Sequence, residues 1–111
     1  MKLYVNGDLI GSTTTAGSPT LNSSITHNIG KAGSNYFSGQ MANIHFIDGQ
    51  ALDQNSFGET VNDIWIPKQY EGEYGTNGFH LDFAPENMEY SGDTITRVLD
   101  ESPNSNHWYA H

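Results

Sequence analysis

Apolar and polar positions in this chain alternate in short runs, each cut off by turn residues. Leu3-Tyr4-Val5 leads into Asn6-Gly7, and Leu9-Ile10 follows Asp8. Asn-Gly suits a two-residue type I′ turn because both central positions need positive φ, so the first ten residues predict a β-hairpin. Residues 11–24 are rich in Thr, Ser and Gly around Pro19 and predict a loop. Ile25-Thr26-His27-Asn28-Ile29 alternates up to Gly30 and predicts a strand, with a turn over 31–35. In the run 36–48, Ile44 and Phe46 share one face. Met41 falls on the other, which predicts a bulge near Ala42-Asn43. Asp48-Gly49 predicts a turn. Asp53 or Gln54 opens a short helical turn that carries Phe57 inward and ends at Gly58. Residues 59–78 read as irregular. Phe79-His80-Leu81-Asp82-Phe83 predicts a strand with Phe79, Leu81 and Phe83 on its buried face. After an acidic, polar stretch over 84–93, further strands are predicted over 95–99 and at Trp108-Tyr109. About five or six short strands and one helical turn make an all-β chain.

Composition agrees with that pattern. Of the 111 residues 42 are Gly, Ser, Thr or Asn, while 35% are hydrophobic and 15% charged. This mixture favours turns and short strands over long helices. Four Lys and Arg stand against 13 Asp and Glu, a net charge of −9. Nucleic-acid binding draws on released phosphate counterions and needs a basic face, which this balance disfavours, as it disfavours docking on anionic lipid. With no cysteine, disulfides, thiolate metal sites and Cys nucleophiles are out. No apolar run reaches membrane-spanning length, and the start lacks a signal-peptide core because Asn6 and Gly7 interrupt it. The expected location is the place of synthesis or an assembly that carries the chain out.

The run from Phe37 to Glu59 resembles the late strand and following turn of concanavalin A-like, laminin G-like jelly-roll modules, in the variety found in bacteriophage virion proteins. Leu3-Tyr4-Val5-Asn6-Gly7 is similar to the hairpin that precedes it there. Trp65-Ile66-Pro67-Lys68 and the segment Tyr70 to Phe83 look like the glycine-tyrosine segment and closing strand. Asp100 to Trp108 resembles a degraded Asp-Ser-Ser-Gly-Asn-Gly-Asn-Asn-Trp stretch, with Glu101 and Pro103 as departures. A complete module of this family is well longer than this chain. The resemblance therefore implies the C-terminal half of an antiparallel β-sandwich over residues 1–84, completed by another chain or copy. Residues 85–111 then form an acidic polar C-terminal segment, one that could dock on a partner. Half a sandwich exposes an apolar face and open edges. The partner-packing residues expected on that face are Phe46, Phe79, Leu81 and Phe83.

Three aromatic residues in the glycine-rich segment, Trp65, Tyr70 and Tyr74, are the candidate ligand-binding set, since such rings could stack on sugars. The plainer reading makes Trp65 a core anchor and packs the tyrosines over loops. Asp100-x-Ser102-x-Asn104-x-Asn106 alternates oxygen donors suited to calcium, which many laminin G-like modules carry, but it lacks a closing Glu. An Asx-turn-rich loop explains the same spacing. No cofactor is expected, and calcium is not placed on named residues. Asp48, Asp53, Asp82 and Asp93 are further oxygen ligands without a pattern.

The five histidines, His27, His45, His80, His107 and His111, show no metal-ligand spacing, and His45 and His80 fit an exposed sheet face. Glu71 and Glu73 have the spacing of a retaining glycosidase pair but lie in a segment that reads as a solvated loop. The acidic run from Glu86 to Asp100 also reads as solvated, and Asn22-Ser23-Ser24 is formally a glycosylation sequon. No catalytic motif is present, so no enzyme is expected, and the resemblance implies a non-enzymatic virion component of decoration or tail-fibre type. It would bind other virion proteins or copies of itself and touch host surface glycans with its loops. The alternative is a stand-alone carbohydrate-binding, lectin-like module.

Overall fold

A computed structural model describes residues 1–14 and 23–111. Most of the expected loop over 11–24, and the Asn of the sequon, lie outside the described residues. The architecture is all-β and antiparallel, with two three-residue 3-10 turns at Gln54–Ser56 and Pro85–Asn87 as its helical elements among the described residues. By its internal contacts the chain divides into two compact units, Met1–Pro19 with Gln50–Glu73, and Thr20–Gly49 with Tyr74–His111.

The first unit is built from local hairpins. β1 (Lys2–Val5) pairs with β2 (Asp8–Ser12), and the turn between them has Asn6 at φ 50° and Gly7 at φ 85°, the type I′ geometry expected of Asn-Gly. A side chain at Gly7 would also meet the Trp65 ring at 2.4 Å. Asp53 caps the turn Gln54–Ser56, its carboxylate accepting from the Asn55 N–H at 3.1 Å, and Phe57 at its end is half-buried. Residues read as irregular then form a second hairpin, β6 (Gly58–Val61) with β7 (Ile64–Pro67). Gly58 opens this strand rather than merely ending the helical turn. Asn62 and Asp63, at φ 50° and 62°, supply the two positive-φ turn positions there.

The second unit holds the buried apolar side chains. β3 (Lys31–Ala32) and β4 (Asn35–Tyr36) form a small hairpin where a turn was expected. β5 (Ile44–Phe46) pairs antiparallel with the distant β8 (Phe79–Leu81), matching Ile44 with Leu81, His45 with His80 and Phe46 with Phe79. β9 (Met88–Ser91), β10 (Thr94–Val98) and β11 (Trp108–Tyr109) make a three-stranded sheet in the order β11-β10-β9, and Arg97 pairs with Glu89 across it. Leu81 is 1% exposed, with Tyr74 and Phe79 each at 9%. Phe46 and Phe79 stack at 5.5 Å, and Trp108 tilts against Phe79 at 4.9 Å.

Several expectations need correction. Ile25 to Ile29 is not a strand, and Ile25 is exposed. The long run 36–48 keeps only three strand residues after Asn43, which sits at φ 52°; the irregularity falls where a bulge was expected, but it starts the strand instead of kinking one. Phe83 is half-buried and outside the strand. The alternation stops at Leu81 because Asp82 folds back, accepting from the Ala84 N–H at 2.9 Å, and Phe83 turns to φ 60°. The run from Glu86 to Asp100 carries β9 and β10 and ends in a buried carboxylate, so it is not simply solvated.

Candidate functional site

Three features of the second unit are candidates, and the first is a buried carboxylate. Asp100, 6% exposed, accepts from the backbone N–H of His80 at 2.7 Å, of Ser102 at 2.8 Å and of Asn106 at 2.8 Å, and from the Ser102 hydroxyl at 2.8 Å. The side-chain amide of Asn104 donates to the carbonyls of Gly75 and Gly78, and that of Asn106 to Thr76 and Gly78. The stretch 100–106 is thus clasped onto the 75–80 segment. Gly78 is required there: a Cβ would lie 1.9 Å from the Tyr74 carbonyl oxygen. Burial pushes the Asp100 pKa up, but the four donated hydrogen bonds outweigh it and hold the carboxyl below its ordinary value. The alternating oxygen donors of this stretch work as Asx turns and carbonyl ties. Its carboxylate oxygens are already engaged by protein donors, and among the described residues no group of three or more His, Cys, Asp or Glu is placed to hold a metal ion.

The second feature is an imidazole pair. His45 and His80, matched in register, stack at 4.1 Å with an interplanar angle of 9°. The Tyr74 hydroxyl meets His45 Nδ1 at 2.9 Å, and Asn43 Oδ1 meets His80 Nε2 at 3.1 Å. Burial, and then the neighbouring His80 charge, lower the His45 pKa from 6.5 to about 4. Sequence alternation put these two histidines on one face, but their pairing depends on a register that joins residues 35 apart in the chain.

The third feature is an open cleft of about 690 Å³. Phe46, Phe79 and Trp108 give it an apolar wall, while Asn28, Asn77 and His107 are among its polar lining. His107 Nδ1 accepts the Asp100 N–H at 2.9 Å, so in the neutral ring Nε2 carries the proton. Among the described residues no Asp, Glu, Lys or Arg lines this cleft.

The candidate ligand-binding residues fall in different units. Trp65 and Tyr70 belong to the first unit and Tyr74 to the second. Trp65 is half-buried over Gly7 and Gly58, and Tyr70 stacks on Phe57 at 5.2 Å and donates to the Glu73 carbonyl at 3.0 Å. Tyr74 is buried against the histidine pair, which makes it a core group and not an open platform. Of the expected partner-packing set, Phe79 and Leu81 are covered within this chain, whereas Phe46 and Phe83 are half-buried. Sequence reading marked Asn106 within an Asx-turn stretch but missed His107 as a site-former, because a lone histidine without ligand spacing gives no signal.

Compared with protein-family models, curated proteins and solved structures, the chain matches none. Among the described residues no helix is long and apolar enough to cross a membrane.

Proposed function

We propose that the chain is a non-enzymatic structural or accessory component of a bacteriophage virion, of decoration or tail-fibre type, joined to neighbouring copies or virion proteins by sheet packing and edge-strand pairing. The observation that carries this reading is an uncovered apolar sheet face. Register places Val61 opposite Ile64 and Glu59 opposite Ile66, so Val61, Ile64 and Ile66 share one face of the β6–β7 hairpin. They are 43%, 64% and 38% exposed. Among the described residues, the two-stranded sheets β1–β2, β3–β4 and β6–β7 also leave each strand with one edge outside any ladder, whereas the outer edge of β8 is taken by Asp100 and Glu101. A two-stranded hairpin is marginal in water until it packs against something. The resemblance of the Phe37–Glu59 run to virion jelly-roll modules points to what that something is.

Light scattering on the purified chain tests this, together with a thermal melt. The expected result is a mass above one chain, or a weak melt that sharpens when virion proteins are added. Ile64→Thr, which keeps strand propensity and removes apolar surface, is expected to abolish the association. A monomer with a sharp cooperative melt would overturn core completion by a partner.

The carbohydrate-binding reading keeps one supporting observation, the cleft beside Trp108. An uncharged wall that combines aromatic faces with amide and imidazole groups suits a neutral polyol with an apolar face, and the volume lies within the usual range for small ligands. An NMR titration with neutral mono- and disaccharides is expected to shift the Trp108 indole N–H and leave that of Trp65 in place, with Trp65→Phe assigning the two signals. If neither indole moves at several times a millimolar Kd, this reading is removed.

A further inference from the structure

The β5–β8 pairing is short, non-local and central to the second unit. It matches three residues on each side, and only its middle pair is ionisable. The rings of that pair lie face to face at 4.1 Å, a separation at which two imidazolium charges repel strongly in a part-buried setting. On the outer pairs, Ile44 with Leu81 and Phe46 with Phe79, the side chains are apolar and hold the strands together by burial.

From this geometry we propose that the stacked His45–His80 pair is a proton-operated latch: acidification charges the pair and separates β5 from β8. The pair borders the cleft: His45 lines it with Ile44, Phe46 and Phe79, and His27 and His107 are the other titratable groups on that lining.

The groups packed around the pair fit such a role. The Tyr74 hydroxyl faces His45 from the segment before β8, and being both donor and acceptor it can serve either protonation state of Nδ1. Asn43, just before β5, offers its carbonyl oxygen to His80 Nε2. The Asp100 carboxylate reaches the backbone N–H of His80, not the ring, and it is further engaged by Ser102 and Asn106. Thus the charge that acts on His45 is that of its stacked neighbour, which opposes protonation.

The sign follows from linkage. His45 binds its proton more weakly in the folded chain than in the unfolded one, with values of about 4 and 6.5. Between those pH values the unfolded or opened state holds more protons, so stability rises with pH across the window. The stabilisation is complete above pH 6.5 and drains as pH falls toward 4. Each pH unit in the window changes the opening equilibrium by at most tenfold, and by less where solvent screens the part-exposed rings.

Two measurements on the full chain test the latch. In an NMR titration, the His45 ring C–H is expected to show a midpoint well below the ordinary histidine value of 6.5. His80→Gln, which removes the charge and keeps a polar group near Asn43, is expected to move that midpoint upward while leaving it below the ordinary value. Hydrogen exchange, corrected for its intrinsic pH dependence, should show the β5 and β8 amides losing protection several-fold between pH 7 and 5, ahead of the β9–β10 amides. In His45→Gln/His80→Gln this selective loss should vanish. The proposal is overturned by an ordinary His45 midpoint, by equal protection at both pH values, or by selective loss that persists in the double variant.

Discussion

The two units of this chain reach order by different routes. In the first, Asn6-Gly7 and Asn62-Asp63 each close a hairpin between strands adjacent in sequence, and among the described residues of that unit Gly58 alone is buried. In the second, strands 35 residues apart pair across β5 and β8, and a buried carboxylate ties a late segment to an earlier one. Local turn chemistry suffices to shape a hairpin but not to bury side chains. The second unit also buries few of its apolar side chains, and there the hydrogen-bond network around Asp100 adds to a small core.

The largest effect expected from breaking this contrast is at Asp100. Asp100→Ala strands the N–H groups of His80, Ser102 and Asn106 in a buried setting, and each orphaned donor costs about 1–3 kcal/mol. Urea denaturation is expected to show a loss of about 3 kcal/mol or more. The backbone signals of the β1–β2 hairpin should be unchanged, and equal losses in both units would mean that they do not fold independently. The smaller effect lies in the first unit. Gly7→Ala places a side chain at φ 85° against the Trp65 ring and is expected to cost about 1–2 kcal/mol, read as faster hydrogen exchange of the β1–β2 amides. A matching disturbance at Asp100 would contradict the division of labour.

What could be read from the sequence divides along the same line. The first hairpin was legible because Asn-Gly between apolar residues contains the whole instruction for its turn. The second hairpin obeys the same rule through Asn62-Asp63, a less familiar pair whose two positive φ values became evident only in the folded chain. The strand at Phe79 was legible from alternation, but its end was not. Asp82 stops it with a side-chain hydrogen bond that competes with the ladder. Ile25 to Ile29 alternates equally well and forms no strand, since alternation prepares a face without supplying a neighbour. At the candidate site, the Asp100–Asn106 spacing correctly marked a special stretch. The Asx-turn reading of that spacing holds at Asp100, while the ties made by the Asn104 and Asn106 NH₂ groups to distant carbonyls were not legible, because the sequence does not say which carbonyls lie beside them. The histidine stack was out of reach altogether, because it exists only through the β5–β8 register.

The clasp has a consequence for the time course of synthesis. Residues 75–80 are held by hydrogen bonds to Asp100 and from Asn104 and Asn106, so the earlier segment stays unclamped while the later one is still being translated. At about 5–20 residues per second, that interval lasts on the order of one to several seconds. During it both hairpins of the first unit have already been synthesised. The nascent chain therefore passes through a stage in which the part already complete is the one least able to bury its apolar face, and in that stage the face is open to neighbouring chains.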